Sequence, residues 1–178
     1  MNIISSDYDK VGFLRSMIID QECNKIIAVG PKKSVSLDCF KKNASQYQYE
    51  EFIDGVMINM FRWNNTWEIS TRSIVGANKR FSLNKTDMTF RDMFFDACRF
   101  LNINLENLPT HYCYSFVLQH PDNRIVKPII DPELYLVEAY EIIYTTTEDV
   151  SNTIKTDQVL ENINILNVHG EKEEEKNL

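Results

Sequence analysis

The chain has 178 residues, 43% of them apolar and 25% charged, which suits one domain with a real core and is too short for two. Its net charge of −7 has the wrong sign for gripping long nucleic acid nonspecifically, although local clusters remain basic because part of the acidity sits near the C-terminal end. With five glycines no Gly-rich phosphate loop can be built, and neither a P-loop nor a dinucleotide fingerprint occurs. Cys23, Cys39, Cys98 and Cys113 form no CxxC pair, and no histidine stands at metal-ligand spacing from them. They read as reduced thiols of an intracellular, cytoplasmic protein. The start, MNIISSDYDK, has no signal-peptide core, and no apolar run is long enough to span a membrane.

In chain order, residues 1–10 read as a loose lead-in. Phe13 to Ile19 and Lys25 to Val29 read as two strands joined by a polar turn at Asp20–Asn24, and Gly30–Pro31 ends the pair. Lys32, Lys33, Lys41 and Lys42 bracket Val35, Leu37 and Phe40. A solvated face is the plain reading of these lysines, and phosphate binding the sharper one. The centre of the chain is Tyr47 to Ala77. There an apolar run from Val56 to Phe61 meets a turn at Asn64–Asn65, after which Trp67, Ile69 and Thr71 alternate with Glu68, Ser70 and Arg72. This is a β-hairpin pattern. Asp54–Gly55 stands before the first strand and Arg72 near the end of the second, so acid, glycine and base meet at one end of a sheet. That suits a phosphate-handling pocket, and an ordinary hairpin is the plainer alternative.

Asn78–Met88 is a polar connection carrying Lys79, Arg80 and Lys85. Thr89 to Leu101 is the clearest helix, because Phe90, Met93, Phe94, Ala97 and Leu101 fall on one continuous face. Thr89 is placed to cap it, with Asp92 at the third helical position. After a loop at Asn102–Thr110, His111 to Gln119 reads as a strand and His120–Asn123 as its turn, with Arg124–Ile129 pairing back. Leu134 to Tyr144 forms another strand. From Thr145 the apolar signal thins, with a short element at Gln158–Val168 and a charged, disordered end. The sum is an α+β fold, mostly antiparallel β-sheets with one main amphipathic helix.

Three stretches carry a resemblance. LRSMIID followed by IIAVGPKK, FIDGVMINMF followed by WEISTRSIVGA, and YSFVLQHPDNRIV together resemble the adenylyltransferase (nucleotidyltransferase) domain of RNA ligases, nearest to the RNA ligase 1 group of phage tRNA-repair enzymes. The likeness covers roughly residues 12–145. It implies a ligase-like domain over residues 1–147, followed by an acidic, partly disordered tail over 148–178. The chemistry implied is attack of a neutral lysine amine on the α-phosphate of ATP, with Mg2+ assisting departure of pyrophosphate. The adenylate then passes to an RNA 5′-phosphate.

The departures from that pattern bear on function. The family places its nucleophilic lysine two positions before the aspartate of a lysine–x–aspartate–glycine run. Here the aspartate and glycine are Asp54 and Gly55, but the lysine position is Phe52, and no lysine lies between Lys42 and Lys79. The third-motif glutamate is replaced by Val117. Beyond Tyr144 neither the family's Glu–Gly strand nor its closing lysine pair is found. Asp54, Gly55, Arg72, Asn123 and Arg124 remain as the nucleotide-binding positions the resemblance implies, with no metal ligand assigned. Three functions follow for weighing. The first is a degenerate module binding a nucleotide, an RNA end or a protein partner. The second is a working or split ATP-dependent ligase, using a displaced lysine (Lys32 or Lys33) or a partner chain. The third is a scaffold whose pocket is now only core.

Overall fold

Two apolar runs, from Val56 and from Tyr112, are bonded to neighbours on both sides, and side chains alternate along them from one sheet face to the other. In a computed structural model these are the central strands. The structure describes residues 12–37, 51–80, 87–123, 126 and 128–142, with the backbone of 143 and 153–156. The strands are β1 (Ile18–Asp20), β2 (Lys25–Ala28), β3 (Val56–Trp63), β4 (Thr66–Ser70), β5 (Tyr112–Gln119), β6 (Glu133–Ile143) and β7 (Thr153–Thr156), and the helix is α1 (Phe90–Phe100). A five-stranded antiparallel sheet runs β4-β3-β5-β6-β7, and β1 with β2 forms a separate two-stranded sheet. The fold is α+β, with antiparallel sheets and one α-helix among the described residues.

Each face of the large sheet is covered by a different layer. Ile58, Met60, Tyr114, Phe116 and Leu118 meet Phe90, Met93, Phe94 and Ala97 of α1 in one cluster. The opposite face brings Phe61, Cys113 and Tyr140 against Phe13, Ala28 and Val29. Register fixes this division, since Ile58 faces Phe116 and Met60 faces Tyr114 across β3 and β5. In β6 the pairing slips between Ser115 and Phe116, so Val137 is left over as a bulge. The bulge returns Leu134 and Leu136 to the helix side, where a strict alternation from Ala139 would have turned them away.

The helix begins as its sequence dictates. Thr89 is the N-cap, its side chain accepts from the Asp92 N–H at 3.2 Å, and the Asp92 carboxylate accepts from the Thr89 N–H at 2.8 Å. That reciprocal pair satisfies two otherwise orphaned donors. The central hairpin, its Asn64–Asn65 turn with positive φ at both residues, and the Leu134 strand also follow the sequence pattern.

Two expectations differ. Phe13 to Ile19 does not form one strand: Gly12–Ser16 is a 3-10 turn, and only Ile18–Asp20 is extended. The physical reason is tertiary, because Phe13 is driven edge-on against the Tyr140 ring at 5.3 Å while Lys33 N–H bonds to the Gly12 carbonyl. The Arg124–Ile129 segment has no strand at its described residues, 126, 128 and 129, and the rest of it lies outside them. Thr153–Thr156 adds a strand along β6 where the apolar signal is thin. Phe40, Lys41, Lys42, Lys85, Gln158–Val168 and the charged end lie outside the described residues. No helix among the described residues is long and apolar enough to cross a membrane.

Replacing Thr89 by Ala removes one half of the capping box, so the Thr89→Ala variant should lose about 1 kcal/mol of stability. Urea denaturation with far-ultraviolet circular dichroism measures this, and an unchanged midpoint would contradict the role given to the cap.

Candidate functional site

Because Val56 pairs with Leu118, the residues just before β3 lie beside those just after β5. The contact is close. Gln119 Nε2 donates to the Asp54 carbonyl at 2.6 Å, and a Cβ at position 55 would come within 2.6 Å of both the Leu118 carbonyl oxygen and Val117 Cγ1. Gly55 is required by that approach of two backbones. Val117, where the resemblance expects a glutamate, is buried against this point. Phe52, where the resemblance expects a lysine, is 97% exposed.

The flanking charges stay apart. Asp54 and Arg72 are both exposed, and neither forms an ion pair with another described residue. The acid, glycine and base therefore share one end of the sheet without neutralising one another. Arg124 lies outside the described residues.

Asn123 is different, since it is buried with neither Nδ2 nor Oδ1 partnered. An unsatisfied buried amide is costly and calls for a bound group or water. Its turn is held from behind. His120, also buried, accepts the Asp122 N–H on Nδ1 at 3.1 Å, which leaves its ring proton on Nε2 to face Asp96 Oδ2 at 3.2 Å. Asp96 sits on α1 and also accepts from Arg99 at 3.0 Å. The bond from His120, then that from Arg99, hold its carboxyl below the usual carboxylate range. Read from sequence, His120 is only a turn residue. The structure makes it the peg that fastens the turn to the helix.

A second polar feature escaped the sequence reading. Ser70, Asn59, Ser115 and Glu138 occupy one register across β4, β3, β5 and β6. Ser115 Oγ donates to Asn59 Oδ1 at 2.9 Å, while Asn59 Nδ2 and Ser70 Oγ are buried without a partner. Gly30 covers the row so closely that a Cβ there would sit 2.9 Å from Asn59 Oδ1. The available signal was a polar residue in the middle of each apolar run, Asn59 in VMINMF and Ser115 in CYSFV. Further along the same face, Tyr135 donates to Glu133, and its phenol is pushed up to about 12 by burial, by that bond and by the charges of Glu133 and Glu51.

The buried thiols are poorly suited to covalent chemistry. Cys98 is pushed up to about 12 and Cys113 to about 11, each chiefly by burial, so neither supplies a thiolate near neutral pH. Lys32 and Lys33 are exposed, with Lys32 Nζ 5.0 Å from the Phe13 ring centre. No group of three His, Cys, Asp or Glu side chains suited to holding a metal occurs among the described residues.

Comparison with known proteins agrees with the resemblance at a coarse level. Over 94 residues, 49% of this chain, the sequence is 29% identical to an RNA ligase of Rhodothermus phage RM378. The matched part is 21% of that protein, so the chain spans about a fifth of the relative's length. No family model matches the chain, and no solved structure matches it.

Two outcomes follow from this geometry. Gly55→Ala should destabilise the fold by about 1–3 kcal/mol, because the methyl must push β5 away. Thermal melting measures it, and an unchanged melting temperature would refute the close approach. The Asp96 carboxyl is lowered on folding, so its contribution is present above the unfolded carboxylate value and is lost as pH falls through the lowered one. The melting-temperature advantage of the native chain over Asp96→Asn should therefore narrow as pH drops below about 4. A gap that stays constant through that range would show that the His120–Asp96 contact carries no weight.

Proposed function

We propose that the chain is an RNA-ligase-like nucleotidyltransferase domain that no longer forms a lysyl adenylate and serves to bind a nucleotide or an RNA end. The observation that carries this reading is Phe52, an exposed phenyl ring at the position where the resemblance puts the nucleophile. A phenyl ring has no lone pair with which to form a P–N bond. The neighbouring replacement reinforces it, since Val117 presents methyl groups to Gly55 in place of a carboxylate. Catalytic groups of this kind act as a unit, so losing one member can already cost about as much as losing the set.

Binding requires less. Arg72 is exposed and free of any described carboxylate, which suits a phosphate contact. Asn123 offers a buried donor and acceptor, the pairing that a base edge or a ribose hydroxyl satisfies. Asp54 and, by the resemblance, Arg124 complete the set. ATP would meet these residues through its polar groups. Mg2+ has no cage of described side chains, so it would travel with the phosphates.

The test is thermal protection and calorimetric titration of the chain with ATP and with a 5′-phosphorylated oligoribonucleotide. At least one should raise the melting temperature in proportion to its occupancy. Arg72→Ala should weaken that ligand by about tenfold or more while leaving the unliganded melting temperature unchanged. If neither ligand protects the fold, the pocket is only core and the chain is a scaffold.

A further inference from the structure

Among the described residues, the three most exposed large apolar side chains are Phe52, Ile130 and Val126, at 97%, 86% and 75%. Phe52 is distant from the other two in the chain, but the sheet gathers all three. Val56 opens β3 opposite Leu118, near the end of β5, and Glu133 opens β6 opposite Gln119, the last residue of β5. The start of β3, the end of β5 and the start of β6 therefore share one end, the Gly55 end. Phe52 lies four residues before β3, and Val126 and Ile130 lie in the connection that leads into β6.

Apolar surface left in water and rimmed by polar groups marks a binding surface. Val126 and Ile130 offer aliphatic area, whereas Phe52 offers a π face, and its exposure leaves that face open to a flat ring. The surrounding charges narrow the ligand. Glu51, Asp54 and Asp131 are exposed at the same end and repel a phosphate backbone. Arg72 is exposed there too, and forms no ion pair with another described residue. A nucleic acid meeting this end is held by its bases, with a single phosphate at Arg72. Breadth narrows the ligand further. Because β5 stands between β3 and β6, the strands from which Phe52 and Ile130 extend are about 10 Å apart. That is wider than one base needs, and it matches consecutive bases of a strand.

We propose that Phe52 is a platform on which the terminal base of an RNA strand stacks, with Val126 and Ile130 continuing the apolar surface toward the next base. This inference rests on the binding function proposed above and narrows its ligand from a nucleotide or an RNA end to the RNA end. The side chain that removes the nucleophile thereby supplies a contact of its own.

The experiment is fluorescence titration of the whole chain with a 5′-phosphorylated oligoribonucleotide that carries 2-aminopurine as its 5′-terminal base. The same strand made abasic at that position, and ATP, serve as competitors. The native chain is compared with Phe52→Leu and Phe52→Trp, both at a side chain exposed enough to leave the fold intact. Phe52→Leu, which keeps apolar volume but not the ring, should weaken the strand about fivefold or more, and Phe52→Trp should retain it. On the native chain the abasic strand should compete about fivefold less well than an intact one. The logarithm of the affinity should fall against that of salt with a slope of about −0.7, the value for one phosphate. A slope several times steeper overturns the proposal, since the backbone would then be the grip. An ATP affinity that falls in Phe52→Leu as far as the strand's does overturns the assignment to RNA. A strand that binds the native chain and Phe52→Leu equally overturns the platform but leaves the proposed binding function standing. Failure of the native chain to bind either the strand or ATP overturns both.

Discussion

The pairing of β3 with β5 is the constraint on which the rest of the structure depends. These strands lie far apart in sequence, so closing them costs loop entropy that only burial on both faces offsets. Their register, Val56 against Leu118 through Met60 against Tyr114, decides which side chains meet α1 and which meet the β1–β2 hairpin. A slip of one residue would send Ile58 and Phe116 to the wrong layer. The same register brings Asp54 and Gly55 beside Val117, Gln119 and the His120–Asn123 turn. Fold and candidate site are thus set by one event.

That end of the sheet now carries unequal chemistry. On the proposed reading it retains the parts that position a ligand: a glycine that lets two backbones touch, a turn fastened to the helix through His120 and Asp96, and a buried amide with no partner. On the same reading, a phenyl ring and a valine stand where attack on a phosphorus would take place. On the proposed reading the scaffold of a nucleotidyl-transfer site has outlived its reaction. The polar row from Ser70 to Glu138 lies on the sheet face that includes Val117, closed beneath Gly30.

Much of this was legible in the sequence. The helix announced itself by the spacing of Phe90, Met93, Phe94 and Ala97 and by its Thr89–Asp92 cap, because those signals are local. The β3–β4 hairpin was equally plain from the Asn64–Asn65 turn. What was hidden depends on partners distant in the chain. FLRSMII alternates well enough to read as a strand, but Phe13 goes to Tyr140 and the segment curls. TIKT gives no apolar run, and its strand shows only in the backbone pairing with β6. Nothing near His120 reveals that Asp96, 24 residues earlier, lies beneath it. Asn59 and Ser115 were visible as polar interruptions, but the pairing that puts them in one row was not. For the site, Asp54, Gly55 and Arg72 were placed at one end of a sheet from sequence, and the structure puts them there. Whether they hold a ligand together is a question of binding, which sequence pattern does not address.

The central claim, that this ligase-like site has no nucleophile, is tested most directly by the mass of the intact chain after incubation with ATP and Mg2+, read under denaturing conditions. A phosphoramide bond survives denaturation, whereas bound nucleotide is lost. The account predicts an unchanged mass. An increase equal to one adenylate would contradict it, and peptide mapping would then show which lysine, Lys32 and Lys33 first among them, has taken the place that Phe52 leaves empty of chemistry.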